Sequence, residues 1–200
     1  MPEITTAPLT LLIVAALAYL LGSVPFGIVM ARLFGLGDLR AIGSGNIGAT
    51  NVLRTGNKVA AFLTLLGDAG KGGFAVLVAR AVLGEDAAQL AGLAAFAGHV
   101  WPVYLRFKGG KGVATFLGTL IALSFPLGLA ACLTWLAAAA VLRISSTGAL
   151  AAAALAPVWA LWLAPQAVAL CIVLGAMIWV FHRSNIARIR AGTEPRIGQK

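Results

Sequence analysis

The sequence is poor in charge: only 10% of its 200 residues are Asp, Glu, Lys or Arg, and only 6 of them are acids. With 60% of the chain hydrophobic, so few charges cannot coat a soluble particle of this size, and lipid has to be the solvent for most of it. Cysteine is nearly absent. Cys132 and Cys171 stand singly in apolar runs, which excludes a disulfide framework or a paired-cysteine metal or redox site and leaves two small packing residues. Histidine is as rare, with only His99 and His182, so no metal cluster is expected. The opening residues place no cation before the first apolar run, which is therefore expected to be a retained membrane span and not a cleaved signal. No basic face interleaved with aromatics occurs, so the net charge of +9 is not read as nucleic-acid binding.

What the chain has is long apolar runs. Residues 8–32, 59–83 and 87–105 each supply the roughly 20 mostly apolar residues that a membrane helix needs. Two longer stretches, 112–142 and 147–181, are each one overlong helix or two short ones. Ser124-Phe125-Pro126-Leu127-Gly128 interrupts the first and Leu163-Ala164-Pro165-Gln166 the second, and proline disfavours helix at the residue before it. Splitting both predicts seven transmembrane helices; keeping both whole gives five. Charge selects seven. With the N-terminus outside, every Lys and Arg from Arg32 to Lys200, except Arg80 and the intramembrane Lys71, falls on one side, which the positive-inside bias makes cytoplasmic. Glu3, Glu85 and Asp86 fall on the other, whereas the five-span count strands Arg143 among them. The expected fold is an all-α polytopic bundle, a single domain over residues 1–200, with the C-terminus cytoplasmic and several spans short enough to require tilt or local thinning of the bilayer.

This layout gathers the polar, glycine-rich segments at one face. The first reads Gly43-Ser44-Gly45-Asn46-Ile47-Gly48-Ala49-Thr50-Asn51, followed by Arg54. Residues 43–48 match the dinucleotide fingerprint G-x-G-x-x-G, but they follow a membrane helix where a strand is required, so that fold is rejected. The local physics survives: glycines let backbone N–H groups approach an anion, Ser44, Asn46, Thr50 and Asn51 add neutral partners, and Arg54 adds a fork suited to phosphate. The second segment, Arg106-Phe107-Lys108-Gly109-Gly110-Lys111-Gly112, brackets a glycine pair with lysines just before a helix, so amides, helix N-terminus and ammonium groups can face one phosphate. It lacks the Lys-Ser/Thr pair of a nucleotide-hydrolysing loop.

Asp68 and Lys71, three residues apart, share one helix face inside a span, where charge is costly unless paired. Their expected role is a tie between helices or a substrate contact. His99 lies near the inner end of the third span, with interhelical bonding and function both open. His182, Asn185 and Arg188 recur every three residues, on one side of a helix that continues past the membrane surface. No Ser-His-Asp or Cys-His set is recognisable, and neither histidine has an Asp five positions on: Tyr104 and Ala187 stand there.

These segments, with Gly22-Ser23-Val24-Pro25-Phe26-Gly27, Asp68 to Gly72, Gly98-His99 and Ser145-Ser146, resemble the bacterial acyl-phosphate:glycerol-3-phosphate acyltransferase family in order and spacing over nearly the whole chain. The resemblance implies a seven-span membrane enzyme of phospholipid synthesis, in the bacterial inner membrane with a cytoplasmic active site. It would move an acyl group from acyl phosphate to the 1-hydroxyl of glycerol 3-phosphate without a cofactor, in functional linkage with the enzyme that makes acyl phosphate. Residue by residue it implies catalytic roles for Ser44, Arg54, His182 and Asn185. Substrate-binding roles fall to Gly43, Asn46, Thr50, Asn51, Lys108, Gly109, Gly110, Lys111, Gly112, Ser146 and Arg188, and supporting roles to Asp68, Lys71, His99 and Glu194. The competing reading is a small transporter of a phosphorylated solute; against it, the polar residues gather at one face and no inverted repeat marks a midplane site.

Overall fold

The computed structural model describes residues 2–198, so Lys200, counted among the basic residues above, lies outside them. Among the described residues the fold is entirely helical. Helices α1 (Pro8–Gly22) and α2 (Phe26–Leu33) form one apolar run broken at Pro25; α3 (Ala49–Leu53) is a single turn or so, and α4 (Lys58–Val82) is the longest. Then follow α5 (Glu85–Val100), α6 (Val113–Leu123), α7 (Phe125–Leu142), α8 (Ser145–Leu163), α9 (Val168–Phe181) and α10 (Arg183–Arg190).

Both prolines act as their chemistry requires. The stretch 112–142 breaks at Ser124, with Pro126 in the first turn of α7, and 147–181 breaks at Ala164, with Pro165 starting a short 3-10 turn. Neither stretch is one overlong helix. Four elements are long and apolar enough to cross a bilayer: Pro8–Leu33 taken together, Lys58–Val82, Phe125–Leu142 and Ser145–Leu163. A fifth is added if Pro165–Phe181 is joined to Arg183–Arg190, which bends away by 59°. The remaining two are shorter than the sequence led us to expect. Helix α6 has 11 residues, about 16 Å of rise against a hydrocarbon core of about 30 Å, because it spans only the stretch between the Gly112 turn and the break at Ser124. Helix α5 has 16 residues and stops at Trp101-Pro102, short of residue 105.

The distribution of side chains is that of a protein dissolved in lipid. Large apolar residues point outward, Val141 at 80% and Trp162 at 70% exposure, while the interior is built from alanines such as Ala87, Ala88, Ala95, Ala152 and Ala156. Small residues let backbones meet. A Cβ placed on Gly22 of α1 would lie 2.1 Å from the Ala95 carbonyl oxygen of α5, and one on Gly118 of α6 would lie 2.1 Å from that of Ala69 on α4.

One end of the bundle is closed by polar contacts among its own residues. Asp86 accepts from the backbone of Thr5 and Thr6 and from the Thr6 hydroxyl; Arg80 pairs with Glu85 and donates to the carbonyls of Ala122 and Leu123, the orphan acceptors at the end of α6. Gln89 reaches Glu85 and the Gln166 carbonyl, and Ser124 the carbonyl of Leu163. The opposite end carries the glycine loops, the α7–α8 turn and α10.

Candidate active site

At that opposite end a cavity of about 470 Å³ opens between the first loop, the start of α6, the start of α8 and the α9–α10 junction. Its polar wall is supplied by Ser44, Asn46, Thr50 and Arg54 from the first loop and α3, by Lys111 and Gly112, by Ser145 and Ser146, and by His182, Asn185 and Glu194. Its apolar wall runs on between α4 and α7, with Phe62, Leu65, Leu117, Cys132 and Trp135. Phe62 and Leu65 are also exposed on the outer surface, so the apolar end faces the lipid side.

The first loop is held by Asn51. Its side-chain amide donates to the Leu39 carbonyl at 2.8 Å, and its Oδ1 accepts from the Ser44 amide at 3.1 Å and from Arg54 Nη1 at 3.3 Å. Asn51 itself is buried beneath the cavity. Gly43 carries φ +53 and leaves room for Asn51 and Arg54, whose atoms would lie 2.6 and 2.7 Å from an added Cβ.

The second loop turns back on the end of α5. The amides of Gly109 and Gly110 donate to the carbonyls of Val100 and His99. Gly112 then starts α6 at φ +81, a left-handed position packed on the Phe96 ring where a side chain would be both strained and blocked. This fold delivers Lys111 to the cavity, where its Nζ donates to Asn185 Oδ1. It turns Lys108 outward: Lys108 is exposed, and its carbonyl accepts from Arg40. Thus Gly43, Asn51, Lys108, Gly109 and Gly110, expected at the substrate, are not on the cavity wall.

Helix α10 continues the three-residue spacing past the bend, and His182 and Asn185 are both buried. The His182 Nδ1 lies 2.8 Å from the Ile178 carbonyl oxygen, which can only accept, so Nδ1 carries the proton and Nε2 is the acceptor. Glu194, on the segment after α10, accepts from Ser146 Oγ at 2.7 Å, from Asn185 Nδ2 and from Arg188 Nε at 2.7 Å. Burial raises its carboxyl, but those three donors outweigh burial and hold it below the ordinary glutamate range. Arg188 does not line the cavity, yet its Nη2 is buried without a hydrogen-bond partner. Burial is the main cause that lowers Lys111, to about 8; the Arg188 and Arg54 charges add to it, and Glu194 opposes.

Asp68 and His99 reach the cavity from its inner side, while Lys71 lies behind them. Lys71 Nζ is 3.0 Å and His99 Nδ1 3.5 Å from Asp68 Oδ1. Both members of the Ser145-Ser146 pair reach the cavity, and the Ser145 hydroxyl sits 3.2 Å from that of Thr50. Sequence reasoning missed Lys58, at the start of α4, as a site residue. Trp135, in the middle of an apolar span, carried no signal at all.

Three cations, Arg54, Lys58 and Lys111, two carboxylates, Asp68 and Glu194, and a set of neutral donors converge where an apolar groove begins, an arrangement that fits an amphipathic substrate with a phosphate head. The glycerol-3-phosphate acyltransferase family model matches residues 12–192. A glycerol-3-phosphate acyltransferase of Jannaschia sp. (strain CCS1) is 67% identical over 199 residues, 99% of this chain and 98% of the relative. One of Cereibacter sphaeroides is 65% identical over 201 residues, 100% of this chain and 96% of that one. The crystal structure of PlsY, an integral membrane glycerol 3-phosphate acyltransferase, in its glycerol 3-phosphate form superposes with a TM-score of 0.89 at 40% identity, over 94% of this chain and 96% of that one. Its lysophosphatidic acid form gives 0.85 at 37% identity, with the same coverage. The chain belongs to the glycerol-3-phosphate acyltransferase family.

Proposed function

We propose that the chain transfers a fatty acyl group from acyl phosphate to the 1-hydroxyl of glycerol 3-phosphate, releasing lysophosphatidic acid and phosphate. The observation that carries this reading is the continuity of one cavity from Arg54, Lys111 and Ser146 to the lipid-side groove of Phe62, Leu65 and Trp135. Both substrates carry a phosphate and one carries a long apolar chain, so a basic head and an apolar tail in one cavity accommodate them together.

The hydroxyl oxygen of glycerol 3-phosphate attacks the acyl carbonyl carbon, the bond from that carbon to the phosphate oxygen breaks, and phosphate leaves. Acyl phosphate is a mixed anhydride, so alignment and charge neutralisation suffice and no covalent enzyme intermediate is required. Arg54 and Lys111 neutralise the two phosphates, with Ser44, Asn46, Thr50, Gly112 and Ser146 as further partners. Gly43, Asn51, Gly109 and Gly110 set the shapes of the two loops, and Arg188, held at Nε by Glu194, keeps its Nη2 nitrogen for phosphate. The proton of the hydroxyl passes to His182 Nε2 or to the departing phosphate. His182→Gln separates the two, since full kcat in that variant assigns the proton to phosphate.

The same reading places the protein as one domain in the bacterial inner membrane, crossing it seven times, with the N-terminus outside and the site cytoplasmic. In support, the polar contacts at Thr6, Arg80, Gln89 and Ser124 lie at the helix ends away from the site, and Arg54, Lys58 and Lys111 lie at the site's end. Acyl phosphate would come from the enzyme that makes it. The test is purified protein with acyl phosphate and glycerol 3-phosphate: lysophosphatidate with stoichiometric phosphate supports the reading. Turnover with acyl-CoA alone, or solute uptake into vesicles without turnover, would defeat it.

A further inference from the structure

Three buried charged or titratable side chains sit where acyl transfer requires none. Asp68, Lys71 and His99 are 2%, 3% and 5% exposed. Asp68 Oδ1 lies 3.0 Å from Lys71 Nζ and 3.5 Å from His99 Nδ1, and Lys71 donates to the Val24 carbonyl in the break between α1 and α2. A tie between helices would need only Asp68 and Lys71. His99 adds a different contact: its Nε2 edge lies against Gly110, 2.4 Å from where a Cβ on that residue would stand, and its carbonyl accepts from the Gly110 amide. The next residue is Lys111.

We infer that Asp68 and His99 act as positioning residues for glycerol 3-phosphate: Asp68 fixes the tilt of the His99 ring, and the ring is the surface on which the Gly109–Gly110 turn rests while it presents Lys111. This deepens the acyl-transfer reading and rests on it. The carboxylate, held by Lys71 and the chain break behind it, is the fixed point. The ring transmits that position across α5 to the loop, and the Thr115 hydroxyl, donating to the Asp68 carbonyl at 2.9 Å, registers the start of α6 on the same residue. Gly110 has no positive φ. The three atoms nearest an added Cβ there all belong to the His99 imidazole, so the two positions should be coupled by space.

The experiment measures KM for glycerol 3-phosphate, KM for acyl phosphate and kcat in wild type, His99→Ala, Gly110→Ala and the double variant. Each single change is expected to raise KM for glycerol 3-phosphate about tenfold or more, as a displaced binding group does, with KM for acyl phosphate unchanged. In the His99→Ala background, Gly110→Ala should cost little, because its methyl enters the space the ring has left. If His99→Ala does not yield folded protein, His99→Asn keeps a donor to Asp68, lacks the Nε2 edge, and supplies the same background. An equal Gly110→Ala penalty with and without the ring, or losses confined to kcat or melting temperature, overturns the inference. Absence of turnover in the unaltered chain overturns the acyl-transfer reading itself.

Discussion

The two ends of the helical bundle use similar polar residues in opposite ways. At the Asp86 end, each prominent polar group closes on a neighbour: Asp86 on Thr5 and Thr6, Arg80 on Glu85 and two helix-end carbonyls, Gln89 on Glu85 and Gln166. At the Glu194 end, Arg188 pairs with Glu194 and leaves one buried nitrogen without a partner, while Arg54, Lys58 and Lys111 bring their positive charge to the wall of a cavity. Polar groups that satisfy one another hold helices together; polar groups that converge and remain unsatisfied are set for a ligand.

The strongest way to break this contrast is to remove Glu194, the carboxylate on which Ser146, Asn185 and Arg188 converge. Glu194→Ala strands Ser146, Asn185 and Arg188 together, and kcat/KM is expected to fall about a hundredfold or more in the lysophosphatidate assay. A loss under tenfold would show that those three side chains hold their places without it.

Lys111→Ala removes a charge-assisted contact of about 1.5 to 3 kcal/mol, so KM for glycerol 3-phosphate should rise about ten- to hundredfold. An unchanged KM would remove Lys111 from the phosphate. The same residue predicts a pH limb. A lysine whose pKa is lowered to about 8 keeps its charge below that pH and loses it above. KM for glycerol 3-phosphate should therefore climb as pH rises through about 8, and Lys111→Arg should abolish the climb because guanidinium stays charged.

At the other end, Asp86→Ala frees the segment at Thr5 and Thr6; the melting temperature should drop while kcat and both KM values hold. A matching drop in kcat would show that the two ends are not independent. The smallest effect is expected at Lys108→Ala. Its side chain points away from the cavity, so KM should barely move, and a change as large as that of Lys111→Ala would contradict the placement of the loop.

How much of this could be read from the chain differs by kind of residue. The breaks at Ser124 and Ala164 were legible because proline acts locally. The Asp68–Lys71 pair was legible because a three-residue spacing on a helix fixes a shared face. Arg54, Lys111, His182 and Asn185 stood out because charged or polar groups in such an apolar chain need a reason. The outward turn of Lys108 was not legible: Lys108 and Lys111 flank the same glycines, and only the pairing of Gly109 and Gly110 with Val100 and His99 separates their directions. Nor was the groove at Phe62 and Trp135, since lipid and protein interior are both apolar and periodicity cannot tell one helix face from the other.

By itself, then, the sequence determined that lipid is the solvent, that the helices break just before Pro126 and Pro165, and that basic and glycine-rich segments gather towards one face. These follow from composition, from proline's missing N–H and from the order of charges along the chain. Only the tertiary structure decided which of those groups meet. Arg54, Lys111, Ser146, His182 and Glu194 come from several segments of the sequence, and their convergence depends on how closely small residues such as Gly22, Gly118 and Gly109 let the backbones approach.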